Sequence, residues 1–238
     1  MSGVELDQEG FRLPVVDSCG VPRSQDSFID GLKTGLVHEF RRELENSARQ
    51  IESFCSLCAL VGDIPSFMHG WAISPDFALQ MVWLIRDKRY DLVVEFGSGV
   101  STWLALRSLD LFASDSAGSA REVPRLIVFE HQEVYRAMTA DLISGASNRD
   151  LADVRLCELV DWRDSSGCYR FYSGADSIDE PLRILSAGLG RTLKVLVVVD
   201  GPPGSSCHWA RYPALPVVLS AADDVDVVVD FLLDDAGR

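Results

Sequence analysis

The stretch LVVEFGSGVSTWLAL, residues 92–106, decides the fold, because a buried strand runs through a glycine turn directly into a helix. The apolar run that ends at Phe96 predicts the strand, and the apolar spacing from Trp103 onward predicts the helix. Gly97 and Gly99 permit a tight turn and a close approach of ligand to backbone. The N–H groups that open such a helix attract an anionic group such as a carboxylate. The stretch therefore predicts a cofactor cradle.

The third glycine of a dinucleotide fingerprint would fall at position 102, where this chain has Thr102. That glycine allows the close packing of helix on strand in dinucleotide-binding folds. Its absence disfavours a site for a pyrophosphate.

Four more β-rich runs follow, at residues 125–129, 154–159, 194–199 and 227–233, and helical segments separate them. Four of the five runs are almost continuously apolar, which is typical of strands covered by helices on both faces. The sequence therefore predicts an α/β fold with a Rossmann-like, doubly wound parallel sheet.

The part of the chain before this sheet has a different pattern. Residues 1–25 lack periodicity and predict a flexible arm. Residues 26–73 show helical spacing of apolar residues, interpreted as an extension of about two helices. The α/β domain is predicted over residues 74–238, where Ser74, Pro75 and Asp76 indicate the start of a helix that ends near Lys88.

An acidic residue ends the second predicted strand. Glu130 is expected at the carboxyl edge of the sheet, where it can accept hydrogen bonds from ribose hydroxyls. The alternative is an exposed acid that merely begins a helix. His131, which follows it, is either part of the site or the next residue of that helix.

Acidic residues also end the fourth and fifth strands. Asp200 lies in VDGPPG, residues 199–204, and Asp234 and Asp235 follow the fifth strand. Because neighbouring strands lie ~4.8 Å apart, these three carboxylates are predicted to converge and to suit Mg²⁺. The alternative is that they cap helices or are solvated.

In combination, seven segments resemble the class I S-adenosylmethionine-dependent methyltransferases, and within them a bacterial branch. The match covers most of the chain, and its segments are WAISP (71–75), VEFGSGVST (94–102), EH (130–131), YRFY (169–172), VDGPPG (199–204), RYPALP (211–216) and LDD (233–235). The resemblance implies S-adenosylmethionine as cofactor and a sheet with the strand order 3-2-1-4-5.

The resemblance also implies which residues contact the cofactor. They are Glu95, Gly97, Ser98, Gly99, Ser101, Thr102, Glu130, His131, Glu158, Leu159 and Asp200. Those around the glycine turn would line the methionine part, and Glu130 would hold the ribose. Glu158 and Leu159 are expected at the adenine, with Asp161 and Trp162 as alternatives.

The chain departs from the family in two respects. The catechol O-methyltransferase group has an acid–amide pair where this chain has Asp234 and Asp235. The family's sheet has seven strands, whereas this sequence ends after the fifth, so the final hairpin is predicted to be missing. Either the chain is a truncated form, or the N-terminal helices or a partner cover the edge strand. A homodimer is among the expected partners.

The expected reaction is O-methylation of a small molecule or a glycan. Asp200 or His208 is the candidate base for an acceptor hydroxyl, and a cation at the three acids would orient that hydroxyl. Aromatic residues at 169–172 and 209–212 fit either acceptor stacking or core packing. Two alternative functions are a catalytically silent cofactor-fold protein that binds a partner and a nicotinamide-dependent oxidoreductase.

Composition narrows the range of partners and locations. A net charge of -14 and a pI near 4.6 disfavour nucleic acid and anionic membrane surfaces. The first residues, MSGVELDQEG, lack the features of a secretory signal, which predicts a cytoplasmic protein. Cys55 and Cys58 form a CxxC without a second pair nearby, so they are interpreted as packing residues.

Overall fold

The computed structural model describes residues 25–65, 73–112 and 125–234, and the chain divides into two compact units, Met1–Glu52 and Ser53–Arg238. The α-helices are α1 (Gln25–Val61), α2 (Pro75–Lys88), α3 (Val100–Leu111), α4 (Glu133–Ile143), α5 (Asp179–Leu189) and α6 (Ala214–Ala221). The strands are β1 (Leu92–Phe96), β2 (Leu126–Glu130), β3 (Ala152–Leu156), β4 (Leu159–Asp164), β5 (Gly167–Tyr172), β6 (Leu193–Val199) and β7 (Val227–Leu233). Short 3₁₀ helices occur at Arg149–Leu151 and Ala175–Ile178.

The main sheet is parallel, with the strand order β3-β2-β1-β6-β7. This is the predicted order 3-2-1-4-5 when only the five main strands are numbered, so the Rossmann-like prediction is confirmed. The third strand was predicted at residues 154–159, which is too far toward the C-terminus, because β3 begins at Ala152. It ends at Leu156, because Leu159 already begins β4.

Both faces of this sheet are covered, which explains the apolar runs. On one face Val93, Val128 and Leu196 pack with residues of α2, α3 and α4. On the other face the alternate strand residues pack with α5, α6 and the end of β5. Each central strand therefore needs apolar side chains at successive positions.

Strands β4 and β5 form a separate antiparallel hairpin that the sequence did not predict. Its turn is closed by Asp164, whose Oδ1 accepts the backbone N–H of Ser166 at 2.8 Å and of Gly167 at 3.1 Å. The exposed, polar residues of β4 resemble those of a loop, and the hairpin becomes visible only through its pairing. The end of the hairpin places Phe171 and Tyr172 in the hydrophobic core beside the main sheet.

Helix α1 is a single helix, so the expectation of about two helices was wrong. The charged stretch that suggested an interruption, residues 38–50, is rich in Glu and Arg and includes Leu and Ala, which all favour helix, and it contains neither Gly nor Pro. Helix α2 begins and ends as predicted, and Arg89 closes it with φ 55°. Among the residues described here, no helix is long and apolar enough to cross a membrane.

Candidate functional site

The carboxyl ends of β1, β2 and β6 are joined by backbone hydrogen bonds that continue past the strands. Phe96 O accepts the N–H groups of Asp200 at 2.9 Å and Gly201 at 2.6 Å, and Gly97 N donates to Phe129 O at 2.9 Å. The loops after β1 and β6 are therefore adjacent at one sheet edge. In open α/β sheets this edge is where ligands bind.

The two glycines of the turn serve different purposes. Gly97 has φ +97°, and a Cβ there would lie 3.0 Å from Gly201 N, so it lets the two loops pack together. Gly99 has φ +149° and ψ −136°, a conformation essentially restricted to glycine. A Cβ at Gly99 would meet no described atom within 4 Å, so the open cradle lies there.

Glu95 is fully buried and only partly satisfied. Its Oε2 accepts the hydroxyl of Thr102 at 2.7 Å. Thr102 Oγ1 in turn accepts the Gly99 N–H at 3.1 Å, so Thr102 connects the strand, the turn and α3. Glu95 Oε1 is buried without a hydrogen-bond partner among the described residues.

Burial raises the pKa of Glu95 from 4.5 to about 8. The hydroxyls of Ser101 and Thr102 act against this increase, whereas the charges of Asp200 and Glu130 add to it. Three acidic groups therefore interact at this edge. An acid in such surroundings favours its neutral form until a positive charge arrives.

Glu130 is buried and fixed, and the alternative of an exposed acid does not apply. Its Oε1 accepts the N–H groups of His131 and Gln132, both at 2.8 Å, and Oε2 accepts the Ser98 hydroxyl at 2.9 Å. The His131 ring also lies close, with Nδ1 3.1 Å from Oε1. A carboxylate has about four acceptor sites, so one remains for a further hydroxyl.

Tyr172 is a residue of this edge to which the sequence assigned no role. It is 3% exposed, it packs against Phe96 and Phe129, and its hydroxyl finds no hydrogen-bond partner in the described part of the chain. Burial, followed by the charges of Glu130 and Asp200, raises its pKa well above 10. The aromatic run at residues 169–172 fits either acceptor stacking or core packing, but its sequence does not indicate which ring reaches the sheet edge.

Arg211 supplies a positive charge near the acids. Its guanidinium donates to the carbonyl of Asp200 at 2.6 Å and to the carbonyl of Asp234, and it lies 3.7 Å from Asp200 Oδ1. The RYPALP segment was part of the family resemblance, yet no role for Arg211 followed from it. The structure shows that Arg211 connects the ends of β6 and β7.

The predicted magnesium site finds no support. Within residues 25–65, 73–112 and 125–234, no group of three His, Cys, Asp or Glu side chains is placed to hold a metal ion. Asp235 lies outside the described residues. The guanidinium of Arg211 supplies positive charge beside the Asp200 carboxylate and donates to the backbone carbonyl of Asp234.

The remaining predicted residues lie on β4, on the turn before it and on the loop after β6. Glu158 is exposed between β3 and β4, and its carbonyl accepts the Ser173 N–H at 2.8 Å, while Leu159 begins β4. Asp161 and Trp162 lie in β4, where Trp162 packs against Tyr169 and Tyr212. His208 is exposed, with its ring 5.1 Å from that of Trp209. Their roles at adenine or acceptor stay predictions.

No protein-family model and no curated protein matches the chain. One solved structure that matches is a Pyrococcus horikoshii protein provisionally described as an RNA methyltransferase. The two chains are 14% identical, the match covers 80% of this chain and 76% of that one, and the TM-score is 0.40. At this level the likeness carries no argument about function, and the strand order of the chain itself establishes the Rossmann-like fold.

Proposed function

We propose that this chain binds S-adenosylmethionine at the carboxyl edge of β1, β2 and β6 and is a methyltransferase for a hydroxyl of a small molecule or glycan. The observation that carries the proposal is the Glu95 carboxylate, which is fully buried, has one oxygen without a partner and interacts with two further acids. A buried acid of this kind is stabilised when a positive charge is placed beside it.

The charge of the edge favours this cofactor over a dinucleotide. S-adenosylmethionine carries an ammonium and a sulfonium, whereas NAD carries a diphosphate that the charges of Glu130 and Asp200 would repel. Thr102 also disfavours a dinucleotide. It replaces the third glycine of the dinucleotide fingerprint, and its hydroxyl donates a hydrogen bond to Glu95. The oxidoreductase alternative is therefore disfavoured.

The residues fit the other parts of the cofactor as well. The first N–H groups of α3 follow directly after the open position at Gly99, and they suit the amino-acid carboxylate. Glu130 retains an acceptor site for a ribose hydroxyl. Tyr172 and the Phe96 and Phe129 rings exclude water beneath the edge.

Bound S-adenosylmethionine would supply a methyl group activated by its sulfonium. The chain then has to orient the acceptor hydroxyl, exclude water and accept one proton as the C–O bond forms and the S–C bond breaks. Asp200 is the proposed proton acceptor. Arg211 fixes the position of the Asp200 backbone by donating a hydrogen bond to its carbonyl. No step requires a metal ion.

Calorimetric titration with S-adenosylhomocysteine tests the proposal. We expect micromolar binding by the unaltered chain and at least tenfold weaker binding by Glu130→Ala. Glu133→Gln is the matched control, because Glu133 is an exposed acid of the same segment that pairs only with Arg136 among the contacts seen. Equal binding by Glu130→Ala, or no binding by a folded unaltered chain, would overturn the proposal.

A second experiment separates an enzyme from a silent binding protein. Transfer of a radiolabelled methyl group would be measured with pooled small alcohols, phenols and oligosaccharides as acceptors. Turnover that is lost in Asp200→Asn supports the reaction proposed here. Cofactor binding without turnover in any pool would instead favour a catalytically silent protein that binds a partner. Binding of NAD would favour the oxidoreductase alternative.

A further inference from the structure

Helix α1 carries an apolar stripe that runs along most of its length. Ten positions from residue 29 to residue 61 follow one another at steps of three or four residues, and Ser47 is the polar exception among them. The α1 stripe consists of Ile29, Leu32, Leu36, Phe40, Leu44, Ser47, Ile51, Phe54, Cys58 and Val61. Steps of three and four place these side chains on one side of the helix.

Most of the stripe is exposed. Its seven large apolar side chains from Ile29 to Phe54 are between 40% and 66% exposed. The helix enters the hydrophobic core only at its end, where Leu57 and Val61 are buried. At 1.5 Å per residue the exposed part is roughly 38 Å long. A contiguous apolar surface of this size marks an interaction site.

We propose that a second copy of this chain covers the α1 stripe, so that the protein is a homodimer joined by paired α1 helices. Alternating steps of three and four are the pattern of coiled-coil seams. The two extra steps of four, from Leu36 through Phe40 to Leu44, amount to two four-residue insertions, and such seams accommodate each insertion by unwinding locally. A stripe that is apolar at every position except Ser47 is complementary to itself, as a two-fold symmetric interface requires.

The charge of α1 supports pairing with a copy. The helix has six acidic and four basic residues, so its charge is nearly balanced although the whole chain has a net charge of -14. Two α1 helices therefore repel each other little. A membrane surface is a poor alternative, because helices that lie on anionic lipid have a polar face rich in Lys and Arg.

The area of the stripe is sufficient for a stable dimer. About half of each of the seven side chains is exposed, which corresponds to roughly 100 Å² apiece. A symmetric pair would bury roughly 1,400 Å² in total, within the range of about 1,200–2,000 Å² for specific interfaces.

Sedimentation velocity of the full chain tests the proposal, and its outcome is independent of cofactor binding. We expect a mass of twice 26.2 kDa at micromolar concentration. Leu44→Glu places a charge in the stripe and should weaken the dimer at least 100-fold. Asn46→Glu adds the same charge about 200° around the helix, so it should leave the dimer intact.

A second variant guards against loss of the helix itself. Phe40→Ala combined with Leu44→Ala retains helix propensity and should also give monomers, with unchanged circular dichroism. Monomers of the unaltered chain at 100 µM in the absence of lipid would overturn the proposal, and co-sedimentation of those monomers with anionic vesicles would identify a membrane surface instead. Equal dimerisation by Leu44→Glu and Asn46→Glu would also overturn it.

Discussion

The hydroxyl of Thr102, in the first turn of α3, donates to Glu95 Oε2 at the end of β1 over 2.7 Å. Thr102 occupies the position where a dinucleotide fingerprint has its third glycine, and it holds an acid there instead. Because Thr102 engages only one oxygen, Glu95 Oε1 is left buried and without a partner in the described chain. This pair therefore fixes both the position of the acid and which of its two oxygens has no partner in the described chain.

Glu95 should make the stability of the chain depend on pH. Its pKa is about 8 in the folded chain against an ordinary value of 4.5, so the folded state holds more protons than the unfolded state between these values. The free energy of unfolding should therefore fall as the pH rises from about 4.5 to 8, by at most roughly 1.4 kcal/mol per pH unit. Below pH 4.5 this contribution is fully present.

Urea denaturation at pH 5, 6.5 and 8 measures this effect. The chain with Glu95→Gln should lack the contribution, so it should gain stability relative to the unaltered chain as the pH rises. Parallel pH profiles for the two proteins would contradict the raised pKa of Glu95. Glu133→Gln, which removes an exposed acid, should leave the profile of the unaltered chain unchanged over this range.

Ligand binding should release a proton from the same carboxyl group. At pH 7 Glu95 is mostly protonated in the free protein, and a neighbouring ammonium favours its carboxylate form. We expect up to one proton released per S-adenosylhomocysteine bound, and affinity that rises up to tenfold per pH unit between pH 6 and 7. Calorimetry at pH 7 in two buffers of different ionisation enthalpy measures the release, and Glu95→Gln should show none from this group.

The contact between Gly201 and Tyr172 predicts a coupled pair of substitutions. A Cβ at Gly201 would collide with the Tyr172 hydroxyl and lie 3.1 Å from Gly97 Cα, so Gly201→Ala should destabilise the chain by about 1–3 kcal/mol. Tyr172→Phe alone should be neutral or stabilising, because it removes a buried hydroxyl that has no partner in the described chain.

A double-mutant cycle measures the coupling. Gly201→Ala combined with Tyr172→Phe should be less destabilised than Gly201→Ala alone, by about 1 kcal/mol. Gly204→Ala is the control, because a Cβ there meets no described atom within 4 Å, and it should change stability by less than about 0.5 kcal/mol. Additive effects of the two substitutions would show that the collision is not what limits Gly201.

The sequence predicted the parts of the fold that follow from local pattern. Continuous apolar runs indicated strands covered on both faces, and the strand, glycine turn and helix at residues 92–106 are present. The edge positions of Glu130 and Asp200 followed from the rule that parallel strands end at the same side of a sheet, whereas the placement of Glu95 followed only from the family resemblance. Those acids do interact in the structure.

What the sequence did not predict depends on contacts between distant segments. The β4–β5 hairpin has exposed polar residues, and only its pairing identifies it. The Tyr172 ring meets the sheet edge because that hairpin folds back, and Arg211 reaches Asp200 and Asp234 because two loops are adjacent. Neither relationship has a local signal, since no periodicity or turn motif encodes which loop a side chain will face.

Arg211 should stabilise the sheet edge more than an ordinary surface arginine does. Its guanidinium bonds the carbonyls of both Asp200 and Asp234, and its side chain is 19% exposed. Arg211→Met retains an apolar stem but removes the donors, so we expect a loss of about 1–3 kcal/mol in the free energy of unfolding. Arg211→Lys should recover only part of it, because a single ammonium lacks the planar fork that reaches two carbonyls.

Arg136→Met is the matched control for this prediction. Arg136 forms two hydrogen bonds with Glu133 on an exposed helix surface, where solvent screens the pair, so its removal should cost less stability than the removal of Arg211. Urea denaturation of the three variants at pH 7 gives the comparison. If Arg211→Met were no more destabilising than Arg136→Met, Arg211 would not hold the ends of β6 and β7 together, and the fixed position of Asp200 would need another cause.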